Sequence, residues 1–149
     1  MSLSKQYQTN TDKELQGAWA QMGVNDKNKE FIEFCVARMS KSNTEYTKCF
    51  ERITKPFAVL MRMGQLPKKK GDELMMQVFI QSVLKDWKNV PLSDVTGDKS
   101  QIDEIAPFTP ENATKLFTRL PELYDRLFEF AGDASAFKDA ETEEKAKNW

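Results

Sequence analysis

A chain of 149 residues with 22 Lys+Arg against 23 Asp+Glu and 40% hydrophobic content can bury about two-thirds of its unfolded surface in a single domain. It contains no histidine, which removes Ser-His and Cys-His nucleophile pairs, imidazole bases and the commonest metal ligand. A net charge of -1 and a pI of 5.6 speak against broad phosphate neutralisation on nucleic acid.

The polar start Met1-Ser2-Leu3-Ser4-Lys5-Gln6 has no apolar signal segment, and no stretch approaches the roughly 18 apolar residues of a membrane span. Both features predict a cytosolic protein. Residues 1–10 carry no periodic signal and read as a flexible arm. Only 6 Gly and 6 Pro punctuate the chain, and the apolar positions between them recur at helical spacing. The fold predicted is all-α: a small single-domain bundle of about five to six helices over residues 11–138, with one long loop before the C-terminal helices.

Thr11 and Glu14 have capping-box form, and Leu15, Ala18, Trp19 and Met22 then mark one face of a short helix stopping at Gly23. A second helix is predicted from Asn25-Asp26, with Phe31, Ile32, Phe34, Cys35 and Met39 as a broad apolar face. Thr44 can cap a third, carrying Tyr46, Cys49, Phe50 and Ile53. Pro56 should kink or break that helix by removing an amide hydrogen, and Phe57, Leu60 and Met61 continue a stripe to Gly64. The basic segment around Lys68-Lys69-Lys70 reads as an exposed loop. Asp72 then opens the strongest helix, with Met76, Ile80, Val83, Leu84 and Trp87 as its stripe.

The pattern lapses over residues 89–107, a long loop of the kind that often binds or orders. Thr109-Pro110 starts a helix lined by Ala113, Leu116, Phe117 and Leu120. Pro121 ends it or begins the next, in which Leu123, Tyr124, Leu127, Phe128 and Ala131 run to Gly132, with Phe137 folding back. Residues 139–149 are charged and read as a disordered tail.

Candidate chemistry is sparse. Cys35 and Cys49 fit neither a CxxC pair nor a zinc half-site and read as buried thiols. Asp103-Glu104 and Glu143-Glu144 are indistinguishable from solvated helix faces. Isolated Gly71 and Gly97 make no phosphate loop, and no calcium loop is present. No catalytic, cofactor-binding or metal residue is assigned, and no cofactor is implied. Lys68-Lys69-Lys70 could meet phosphate or an acidic protein surface, or simply be solvated. The Met-rich stretches around Met61, Met63 and Met75-Met76 could fill a core or form an adaptable contact surface, since thioether side chains repack readily.

Across residues 46–148 a set of short motifs occurs in order: Phe50-x-x-Ile53-x-x-Pro56-Phe57, Gly64-x-Leu66, Leu84-Lys85-Asp86-Trp87-Lys88-Asn89-Val90, Pro107-Phe108-Thr109-Pro110-Glu111-Asn112-Ala113, Leu120-Pro121-Glu122-Leu123 and Ala146-Lys147-Asn148. Together they resemble the tail assembly chaperones of long-tailed bacteriophages. The segment between residues 91 and 106 is longer and less turn-like than the family pattern. The resemblance implies a non-catalytic protein of the infected bacterial cytoplasm that binds the tape measure protein and hands it to polymerising tail tube protein. It also implies a minority longer form made by ribosomal frameshifting, for which Ala146-Lys147-Asn148 can be encoded with a slippery heptamer. Helix-in-groove binding to such a partner would use Phe57, Met61, Met63 and Met75 around the Pro56 kink. A virion component, such as a head-to-tail connector or tail-completion protein, is the alternative.

Overall fold

The computed structural model describes residues 2–4 and 11–137. The arm predicted over residues 1–10, apart from 2–4, and the tail predicted over 139–149 lie outside them. The described elements, in chain order, are α1 (Thr11–Gln16), β1 (Ala18–Val24), β2 (Phe31–Val36), α2 (Thr44–Thr54), a 3-10 turn (Lys55–Phe57), α3 (Ala58–Arg62) and α4 (Lys68–Val78). A π-helical turn (Phe79–Val83) leads into β3 (Leu84–Lys88), followed by α5 (Leu92–Thr96), a 3-10 turn (Lys99–Gln101), α6 (Pro110–Arg119), α7 (Pro121–Gly132) and a last 3-10 turn (Ala134–Phe137).

The fold is therefore mixed α/β rather than all-α. The correction rests on a three-stranded antiparallel sheet of order β1-β2-β3, which occupies three segments predicted as helix. Gly17, at φ +108°, ends α1 early. An added Cβ there would lie 2.4 Å from the Cys35 Sγ, so the close crossing of chain over strand requires glycine. Ala18 and Ala20 then pair with Val36 and Phe34, putting small side chains opposite large ones on the inner face. On the outer face Trp19 pairs with Cys35, and the Lys88 ammonium sits 4.1 Å from the Trp19 ring centroid.

Helix α4 gives way to strand through the π turn, where the Leu84 amide donates to the Phe79 carbonyl. The Ser82 hydroxyl donates to the Val78 carbonyl at 2.6 Å, so this buried polar group is satisfied. Trp87 is buried as the sequence implies, but on a strand. It meets Phe34 and Phe108 edge-on, and its Nε1 donates to the Ala106 carbonyl at 2.8 Å.

The stretch over residues 89–107 is not a plain loop. It holds α5 and a 3-10 turn, and the Ala106 amide donates to the Val90 carbonyl beside a Pro91–Ile105 bridge. Gly97 closes α5 in the left-handed region, and Arg119 from α6 donates to the Asp94 carbonyl at 2.6 Å, using a carbonyl the helix leaves without an internal partner.

The helices α2, α6 and α7 form where the sequence places them, but α2 is capped by Asn43 and not by Thr44, which is its first helical residue. Asn43 caps α2 by accepting from the Tyr46 amide, and Thr109 caps α6 by accepting from the Asn112 amide with Pro110 next in line. Pro121 begins α7. The core joins Phe34, Val36, Leu84 and Trp87 of the sheet to Phe79, Val83, Leu116, Phe117, Leu127 and Ala131 of the helical layer. Phe137 is fully buried and folds back onto Phe130, 6.1 Å away.

Candidate protein-binding groove

The π turn carries Phe79, fully buried at the centre of an aromatic group. Tyr124 meets it edge-on at 5.3 Å, Phe117 at 6.1 Å, and Phe128 stacks at 6.2 Å. Phe117, Tyr124 and Phe128, with Phe79 buried behind them, form one wall of an open groove of about 800 Å³. Its apolar lining comes from Met75 and Met76 of α4 and from Phe117, Pro121, Tyr124 and Phe128 of α6 and α7. Lys68, Lys69, Asp72, Glu73 and Asp125 add charge to it. An apolar trough with charged borders between helices is a shape that accepts the apolar face of another helix.

Helix α4 starts earlier than the sequence predicts. Lys68-Lys69-Lys70 form its first turn, behind Pro67 as N-cap, rather than an exposed loop. Three ammonium groups at a helix N-terminus oppose the helix dipole, which is why the charge pattern reads as loop. Lys70 is drawn aside: its Nζ lies 5.1 Å from the Phe57 ring centroid and 4.0 Å from a Glu73 carboxylate oxygen. Lys68 and Lys69 make no ion pair among the described residues.

Electrostatics within the groove are uneven. Burial pushes the Tyr124 phenol up to about 12, and the Asp125 and Asp72 carboxylates push in the same direction. The hydroxyl thus stays protonated, with burial as the main cause and the two carboxylates adding to it.

Of the contact residues predicted from sequence, Met75 lines the groove. Met61 and Met63 lie on a neighbouring spur, where the 3-10 turn at Pro56 redirects the chain into α3. The spur ends at Gly64, in the left-handed region at φ +67°, with the Gln65 amide donating to the Leu60 carbonyl at 2.9 Å. None of the α3 residues is buried, and Val59, Leu60, Met61 and Met63 are 57%, 40%, 39% and 61% exposed. Phe57 is half-buried and meets Lys70 in the first turn of α4.

The sequence assigns Phe117, Tyr124 and Phe128 to the core, where Phe117 is fully buried and the other two pack against it; it does not reveal that all three also line the groove. A signal existed in α7. Leu127 and Ala131 are fully buried, whereas Tyr124 and Phe128 are half-buried. The apolar stripe was therefore wider than core contact alone demands.

Among the described residues no cluster of three or more His, Cys, Asp or Glu is placed to hold a metal ion, and no helix is long and apolar enough to cross a membrane. Cys35 and Cys49 are free and buried. Burial raises the Cys35 thiol above its ordinary range, and Asp86 adds to this.

No curated protein and no solved structure matches the chain. One family does, the one described as YdaY prophage protein, over residues 40–148. That span takes in the groove, the spur and β3, and leaves β1 and β2 outside. With well over half of its length matched, the chain belongs to the YdaY prophage protein family and is a phage-derived protein.

Proposed function

We propose that this phage protein is a non-catalytic tail assembly chaperone. In the cytoplasm of the infected bacterium it holds an amphipathic helical segment of the tape measure protein until tail tube protein polymerises around it. The observation that carries this reading is the open groove lined by Met75, Met76 and the Phe117–Tyr124–Phe128 aromatics, beside a spur of exposed apolar side chains. Monomeric soluble domains rarely leave contiguous apolar surface of this kind without a partner for it. Methionine at both places suits a client whose successive helical segments differ in detail, because an unbranched thioether repacks at little cost. The motif resemblance over residues 46–148 supports the same reading.

The test is co-expression with the tape measure protein of the same phage, followed by affinity capture. Wild-type chain should retain it. Met75→Glu, which puts a carboxylate into the apolar groove, should lose most of it, and Met63→Glu should weaken capture with no change in thermal stability. Equal capture by wild type and both variants would overturn the reading. Mass spectrometry of purified virions separates it from the virion-component alternative: a chaperone is absent, a connector present at fixed copy number.

A further inference from the structure

Spur and groove belong to one chain, yet each is open. The spur residues Val59 and Met63 are more than half exposed, and no residue of α3 lines the groove. Phe57 at the base of the spur meets Lys70 in the first turn of α4, and no residue from 55 to 63 enters the groove lining. A second copy supplies to each of these surfaces what the first leaves uncovered.

Charge points to the same partner. Residues 55–63 carry Lys55 and Arg62 and no carboxylate, and both cations are exposed. Across the groove, Asp72 and Asp125 are exposed carboxylates. None of these four charges forms an ion pair among the described residues. Asp72 and Asp125 line the groove together with Tyr124, and after burial both carboxylates contribute to raising its phenol. Lys68 and Lys69 also line the groove, so its charged residues are three carboxylates against two ammonium groups, and the basic apolar spur matches in sign the part of it that carries Asp72 and Asp125.

We propose that two copies of this chain associate by seating the α3 spur of each in the α4–α6–α7 groove of the other, with Lys55 and Arg62 facing Asp72 and Asp125 across the interface. Leu60, Met61 and Met63 then meet Met75, Tyr124 and Phe128, and water leaves both apolar surfaces. Reciprocal seating closes the assembly at two copies. A one-way contact would instead continue from chain to chain. The association needs only this chain, and it covers the same groove and spur that the tape measure reading uses, so a client would displace the second copy; sedimentation tests the association and capture tests the client.

The experiment is sedimentation equilibrium of the purified full chain across a concentration series, with circular dichroism confirming that each variant is folded. Wild type should move from 17.2 kDa toward twice that mass as concentration rises. Lys55→Glu/Arg62→Glu brings like charges together at both contacts, and so does Asp72→Lys/Asp125→Lys. Each variant alone should associate at least tenfold more weakly. An equimolar mixture of the two restores opposite signs at both contacts and should recover wild-type association as a heterodimer. Leu60→Asp, which acts on the apolar contact alone, should remain monomeric and should not be rescued by either charge variant. A wild type that stays monomeric at every concentration would overturn the proposal, and so would charge variants that associate as wild type does or a mixture that fails to recover.

Discussion

The Asn25 side chain, 2% exposed, donates from Nδ2 to the Asn89 carbonyl at 2.9 Å and so ties the β1–β2 hairpin to the end of β3. Its Oδ1 accepts from the Lys27 amide at 2.9 Å, shaping the hairpin loop. Asn89 sits in the left-handed region at φ 63°, which asparagine tolerates better than most residues. Its Nδ2 donates back to the Phe31 carbonyl at 2.9 Å. Asn25→Ala leaves the Asn89 carbonyl and the Lys27 amide short of partners, and should lower stability by about 2–3 kcal/mol. Urea unfolding checks this. An unchanged midpoint would mean that water replaces the amide without cost.

Trp87 is held by packing and by its bond to the Ala106 carbonyl. Trp87→Phe keeps an aromatic ring against Phe34 and Phe108 but strands that carbonyl, and should cost about 2–3 kcal/mol. Trp87→Ala opens a cavity as well and should cost about 3–5 kcal/mol, enough to leave the chain insoluble or molten. Near-ultraviolet circular dichroism of the two variants distinguishes the effects. A fully native spectrum for Trp87→Ala would refute the packing described.

Gly17 and Cys35 should be coupled. Gly17→Ala forces a Cβ toward the Cys35 Sγ and strains a positive φ. In a Cys35→Ala background the clash is gone and only the backbone strain remains. The glycine substitution should therefore cost less there, with a coupling of about 1 kcal/mol or more in a double-mutant cycle. Strict additivity would show that the two groups do not interact.

Tyr124 sets an alkaline limit. Its phenol titrates near 12 in the folded chain against an ordinary value of 10. A group whose folded pKa is raised contributes fully below the unfolded value and loses that contribution as pH rises through the folded one. Stability should accordingly decline between about pH 10 and pH 12, and Tyr124→Phe should flatten the decline. Phenolate absorbance followed against pH should show a late component that vanishes in Tyr124→Phe. An early, fully exposed titration would contradict the burial.

Sequence periodicity located α2, α6 and α7 because caps and prolines mark their ends: Thr109-Pro110, Pro121 and the Pro56 break. It failed at the sheet for a specific reason. Leu84 and Trp87, three residues apart, are both buried, a spacing that reads as helical. In β3 that spacing comes from a register shift between Cys35 and Val36, which pairs Val36 with Leu84 and Cys35 with Asp86 and so skips Lys85. A similar irregularity between Gln21 and Gly23 disturbs the alternation of β1. The short run Phe31-Ile32-Glu33-Phe34-Cys35-Val36 is as compatible with a buried strand as with a helix, and the strand that decides the matter lies far along the chain. The candidate site was half legible. Met75 and the spur follow from methionine content and the Pro56 kink. The groove needed α4, α6 and α7 brought around one opening, a relation no local pattern encodes.

The sheet order also imposes a timetable on folding. β1 and β2 are joined by a short hairpin, but residues 37–83 separate β2 from β3, and that loop must close before the central strand gains its second neighbour. On a ribosome the hairpin emerges well before β3 and waits, with Phe34 and Val36 uncovered, until residues 37–88 have been synthesised. Refolding should be slower than for a helical bundle of equal length, since non-local pairing lies on the route. The interval in which the nascent hairpin stands alone is when this protein is most exposed to aggregation.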